Sequence, residues 1–177
     1  MGKLVALLRA VNVGGRKLPM AELRALCTGL GWSDVRTYIQ SGNIVFEAER
    51  EPRALEAQLE AALRSRFGME VPTIVRTVPQ WKRLVESNPF ASEAETEPNR
   101  VLAGLAKAKI ASGAADAIQA KAAAGERVAL AGEALWFHYP AGVGTSKLTP
   151  ALIDRSAGSP VTARNWRTIL TLEEMLA

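Results

Sequence analysis

Four short polar stretches carry residue types that bind or react: 12–17 (NVGGRK), 40–43 (QSGN), 142–147 (GVGTSK) and 162–166 (TARNW). In the first, Gly14 and Gly15 follow Asn12 and let backbone N–H groups approach a ligand, while Arg16 and Lys17 add positive charge. That combination suits an anion. It also suits a plain strand-to-helix turn with solvated cations. In the third, Ser146 and Lys147 stand beside flexible backbone and resemble a phosphate cradle. The G-x-x-x-x-G-K-[ST] spacing of a Walker loop is absent, so a glycine-rich loop before a capped helix explains it equally. In the fourth, Arg164 has the fork geometry that grips a phosphate or carboxylate. Asn165 could donate toward a neighbouring loop, with Thr162 as the helix cap. Alternatively, Arg164 and Asn165 pin a final helix while Trp166 packs beneath it.

The QSGN stretch is the tip of a hairpin. Val35, Thr37 and Ile39 alternate with Arg36, Tyr38 and Gln40, and Ile44 and Phe46 continue the alternation after the turn. Gly42 supplies turn freedom. Ser41 and Asn43 suit turns that bond their own backbone. Gln40 does not, because its longer side chain reaches beyond the turn. A Gln and an Asn together offer donors and acceptors fit for a base edge or for bracing a loop.

Other chemistries are poorly supplied. A single cysteine forbids an internal disulfide, and with one histidine a zinc site of the usual ligands is excluded. Cys27 shares a helical face with Leu23, Leu26 and Leu30, which reads as a buried thiol. Asp34, Glu47 and Asp154 are the acidic residues near motifs, and they form no pair for acid–base work. No metal or cofactor is expected. The net charge of +4 mildly favours anionic partners. The opening apolar run is short and broken by Arg9, so it reads as neither signal peptide nor membrane span. The expectation is a soluble cytoplasmic protein without membrane contact.

These loops need elements to hold them. Residues 3–11 read as a buried strand, Pro19 opens a helix, and the hairpin 35–48 follows. Pro52 opens a second helix that ends at Gly68, and VPTIVRTV is a fourth strand. Strand, helix, strand, strand, helix, strand is the split βαβ, or ferredoxin-like, unit. After a short helix at Pro79 and an acidic stretch, the order returns. Residues 100–106 are a strand, 113–125 an alanine-rich helix, and a hairpin turns at Gly132. Thr149 and Pro150 start another helix, PVTA makes a short strand, and a last helix runs from about Arg164 to Leu176. The fold class is α/β (α+β), with duplicated ferredoxin-like βαββαβ halves and antiparallel sheets. The expected division is 1–78, a helical and acidic connector over 79–99, and 100–177.

With LLRAVNVGG and VRTYIQSGN, the four motifs make the chain resemble a bacterial family of unknown function, numbered 1697 in the domain-of-unknown-function series. That family opens with LLRGINVGG, continues with TYIQSGNVVF, and closes with SKLT and TRNW. The resemblance covers nearly the whole chain. Ala10 stands where the family usually has glycine, and Ala163 interrupts the last motif. The resemblance implies a duplicated ferredoxin-like architecture in a soluble bacterial protein and supplies no activity.

The functional expectation is a binding module for an anionic ligand: a nucleotide, a nucleic acid or a phosphorylated metabolite. The alternatives are an enzyme on a small anionic substrate, or a structural protein whose loops brace its halves. An RNA-binding sheet would present aromatics on its face, and only Tyr38 and Phe46 are candidates in the first half. Candidate ligand contacts are Asn12, Gly14, Gly15, Arg16, Lys17, Gln40, Ser41, Asn43, Ser146, Lys147, Arg164 and Asn165; oligomeric state is left open. In a βαββαβ unit the loop after the first strand and the hairpin tip lie at one end of the sheet. NVGGRK should therefore meet QSGN, and GVGTSK should share an end with TARNW. If the halves dock head to tail, the four motifs would form one cleft.

Overall fold

The computed structural model describes residues 1–177. Two compact units divide it: Met1–Trp81 with Leu172–Ala177, and Lys82–Thr171. The first contains β1 (Gly2–Leu8), α1 (Met20–Gly29), β2 (Ser33–Tyr38), β3 (Asn43–Ala48), α2 (Pro52–Phe67) and β4 (Thr73–Thr77). Its sheet has the order β2-β3-β1-β4 with antiparallel neighbours throughout. After α3 (Val78–Glu86), the second unit adds α4 (Ala91–Thr96), β5 (Val101–Ala106), α5 (Ala114–Gln119), β6 (Arg127–Ala131) and β7 (Ala134–His138). It continues with α6 (Pro150–Ala157), β8 (Val161–Asn165) and the start of α7 (Trp166–Leu176), whose last residues from Leu172 belong to the first unit. Its order, β6-β7-β5-β8, repeats the first topologically. The duplication expected from element order is present.

The same backbone detail recurs in both units. Arg9 N donates to Pro72 O at 3.0 Å, and Lys107 N donates to Pro160 O at 3.2 Å. Each bond ties the residue just beyond the first strand to a proline ahead of the fourth.

Alternation dictates the cores. Leu4, Ala6 and Leu8 of β1, with Ile44 and Phe46 of β3, face Leu23 and Cys27 of α1 and Leu55, Leu59 and Leu63 of α2. Trp32 stacks on Phe46 with ring centroids 3.9 Å apart. Burying one such leucine stabilises by about 1.5–3 kcal/mol. The second core is thinner in volume, resting on Leu135, Phe137, Ile118, Ile153 and several alanines.

The sheet edges are closed by side chains. On β4, the amides of Thr73, Val75 and Thr77 donate to Glu60 Oε1 (3.0 Å), Glu56 Oε1 (3.0 Å) and Gln80 Oε1 (2.8 Å). Glu56 and Glu60 are one helical turn apart on α2, so one helix face supplies two of the three. On β8, Val161 N donates to Asp154 Oδ1 of α6 at 2.9 Å. On β6, the Gln119 amide accepts from Val128 N and donates to Glu126 O, as a paired residue would. Strand β2 is bulged between Ser33 and Arg36, with Asp34 at φ 47°.

Three elements differ from the sequence expectation. Helix α5 ends at Gln119 rather than near Gly125. Beyond Ile118 only small and polar residues remain to pack, and Ala124 N donates instead to the Glu126 carboxylate. Residues 91–96 form a helix with Ala94 buried, within a stretch whose acidity suggested a solvated connector. Strand β8 runs through Asn165, so Thr162 is a buried strand residue and not a helix cap. Asn165 Oδ1 takes that role for α7, accepting from Thr168 N at 2.9 Å.

Candidate functional site

Strand β1 antiparallel to β3 brings the exit of β1 to the hairpin tip, because Leu7 pairs with Asn43. Leu8 N then donates to Gly42 O at 2.9 Å. Gly42 has φ 85°, and a Cβ there would lie 2.8 Å from both Leu8 Cβ and Val11 Cγ2. Only glycine lets the two loops close on each other.

Asn12 completes the join. Its Nδ2 donates to Gln40 O (2.6 Å) and Leu18 O (3.0 Å), and its Oδ1 accepts from Leu18 N (2.8 Å). Loop 12–18 is thereby folded around one side chain. Asn43, fully buried, donates to Tyr38 O and to Ser41 Oγ, the self-bonding turn expected of those residue types. The Gln40 side-chain amide makes no such bond and stands exposed. Ala10, Asn12, Gly14, Gly15, Ile39 and Gly42 all adopt positive φ. For Ile39, at φ 51°, a left-handed conformation is a genuine outlier, and strain of this kind gathers at functional sites.

An open groove of about 600 Å³ runs beside this junction. Asn12, Gly15, Arg16, Lys17 and Gln40 line it together with Pro19, Met20 and Ala21 at the start of α1. The N-terminus of α1, the positive end of its dipole, has no side-chain cap, and Glu22 lies in its first turn. Arg16 is held by a bond from Nη2 to Glu70 O at 2.6 Å, which fixes its position on the rim. Lys17 is exposed. Of the sequence candidates, the groove gathers Asn12, Gly15, Arg16, Lys17 and Gln40, and omits Gly14, Ser41 and Asn43. Sequence reasoning missed Pro19, Met20 and Ala21, whose signal was Pro19 two residues after the cationic pair.

The remaining candidates belong to the other unit and are held locally. GVGTSK and TARNW leave the sheet at one end, where β5 pairs Val101 with His138 and Leu102 with Asn165. Ser146 Oγ donates to Glu126 Oε2 at 2.7 Å and accepts from Leu148 N. That hydroxyl, then the backbone amides around it, hold the Glu126 carboxyl below its usual range. Lys147 is exposed. Arg164 is buried, donates to Ala163 O at 3.0 Å, and has its pKa lowered to about 10 by burial. Asn165 caps α7 as described.

Cys27 is enclosed in the first core, and burial pushes its thiol up to about 12. A thiol so held is no nucleophile. No three His, Cys, Asp or Glu side chains gather as a metal-binding group. No helix is long and apolar enough to cross a membrane.

A family model described as a protein of unknown function, DUF1697, matches residues 1–136. The chain belongs to this family. The matched span holds the whole groove, whereas the stretches at 142–147 and 162–166 lie beyond it. Among solved structures, a similar chain is the conserved bacterial protein SP0830 from Streptococcus pneumoniae. It has 21% identity and a TM-score of 0.72, over 99% of this chain and 98% of that one. That likeness concerns the fold. No curated protein matches the chain. Ala10 adopts φ 55°, a backbone conformation that glycine takes without strain.

Proposed function

We propose that the first unit of this DUF1697 protein is a binding module for a small anionic ligand, seated in the groove between loop 12–18 and the tip of the β2–β3 hairpin. The observation that carries the reading is the convergence of Lys17, Arg16 and the uncapped start of α1 on one groove. A helix N-terminus and neighbouring cations together favour an anion more than either alone. The groove volume falls within the range typical of small-molecule sites, roughly 300–1,000 Å³.

A bracing role accounts for Asn12, Ser41 and Asn43, whose polar groups are spent within the chain. It leaves the Lys17 ammonium and the Gln40 amide without a task. The two roles divide between residues: the asparagines build the rim, and the cations face what it holds.

Calorimetric titration with inorganic phosphate at low salt tests the reading. Lys17→Ala should weaken phosphate binding about tenfold, while Lys147→Ala in the other unit should leave it unchanged. Absence of phosphate binding, or equal losses in both variants, overturns it.

A further inference from the structure

The groove is chemically mixed. Arg16 and Lys17 supply charge, Pro19, Met20 and Ala21 supply an apolar wall, and Gln40 supplies a neutral amide with donor and acceptor both unspent. The backbone of Gln40 is fixed by the Asn12 bond to its carbonyl, so its side chain projects from a held base. An inorganic anion would use only the cationic part. A ligand that uses all three parts carries an anion, a flat apolar body, and an edge that both donates and accepts.

We infer that the ligand is a mononucleotide, with its phosphate toward Arg16 and Lys17 and its base edge on the Gln40 amide. This rests on the anion reading above and adds the ligand class to it. A carboxamide is the neutral side chain that can meet a base edge through two hydrogen bonds, as Gln does with adenine. The base plane would lie against the Pro19 and Met20 side chains, with no aromatic required. An aliphatic wall in place of stacking rings fits one nucleotide better than an extended single strand, which draws its affinity from successive aromatic platforms.

The experiment compares four probes on the full chain by calorimetry: inorganic phosphate, ribose 5-phosphate, nucleoside monophosphates and the unphosphorylated nucleosides. At least one monophosphate should bind about tenfold tighter than ribose 5-phosphate. Gln40→Ala should abolish that preference and leave ribose 5-phosphate affinity unaltered, and Gln40→Glu should weaken every phosphorylated probe. The Gln40 side chain bonds nothing in the fold, so both variants should unfold with the parent. Monophosphates no tighter than ribose 5-phosphate, or a preference untouched in Gln40→Ala, overturn the mononucleotide and leave the anion site standing. Failure of all phosphorylated probes, or nucleosides binding as tightly as their monophosphates, overturns the anion reading itself.

Discussion

The Asn12 side chain and the Gln40 carbonyl, 28 positions apart in sequence, meet at 2.6 Å. That bond locks the exit of the first strand to the tip of the hairpin, and the same asparagine folds its own loop through Leu18. Asn12→Ala removes three hydrogen bonds and should cost about 2–3 kcal/mol. Asn12→Asp loses both donors and sets a carboxylate against two carbonyls, so it should cost at least as much. Denaturant midpoints at constant slope measure both; a loss below about 0.5 kcal/mol, the scale of an ordinary surface change, would show that the join is not structural.

Gly42 makes the closure possible. Gly42→Ala would put a Cβ 2.8 Å from Leu8 and Val11 at φ 85°, so overpacking and backbone strain act together. A loss of about 3 kcal/mol is expected, read as a fall in Tm, with the hairpin tip losing amide protection first.

Two residues carry strain that glycine would relieve. Ala10 and Ile39 adopt φ 55° and 51°. Ala10→Gly should stabilise by about 0.5–1 kcal/mol, since a left-handed L-residue costs roughly 1–2 kcal/mol and glycine returns part of that as chain entropy. Ile39→Gly should stabilise comparably because the side chain is half exposed. If Ile39→Gly were instead to weaken ligand binding at unchanged or higher Tm, its strain would belong to the site.

Glu126 makes stability fall with acid. Its carboxyl is held low chiefly by the Ser146 hydroxyl, so its contribution is present above the ordinary carboxylate pKa of about 4.3. It is lost as pH falls through that value toward the depressed one in the fold. Ser146→Ala should narrow the difference between folded and unfolded pKa and flatten the stability profile below the ordinary carboxylate pKa. Identical profiles in parent and variant would remove Ser146 as the cause.

Cys27 should behave as core. With the thiol pushed up to about 12, a thiol reagent at pH 8 should label it only as fast as the protein opens. Rapid labelling of the native protein would contradict its enclosure.

Much of this was legible in the residues. Pro19, Pro52 and Pro150 mark helix starts, Gly68 and Gly158 end helices in left-handed geometry, and period-two alternation marks the hairpins. The element order then dictates that NVGGRK meets QSGN. Less legible were features decided by distant partners. Nothing local to GVGTSK says that Ser146 will find Glu126, twenty residues earlier, and so spend its hydroxyl inside the fold. Nothing local to TARNW says that pairing with β5 extends the strand to Asn165 and moves the cap with it. The groove's apolar wall was hidden because Pro19 to Ala21 reads as helix punctuation, and only the folded loop turns that punctuation toward a ligand.

The oxygens of Glu56, Glu60 and Gln80 along β4, with Asp154 on β8 and Gln119 on β6, bear on how the chain comes off the ribosome. A duplicated sheet is synthesised as two successive copies of one topology, and an open edge on the first sheet is a template for strands of the second while they are still unpaired. A row of backbone amides already satisfied by carboxylate and carboxamide oxygens leaves an incoming strand without the donors of a regular ladder. The β4 edge is therefore a poor template for the late sheet, or for a neighbouring nascent chain. The two acidic residues on α2 thereby withdraw the outer amides of β4 from strand addition.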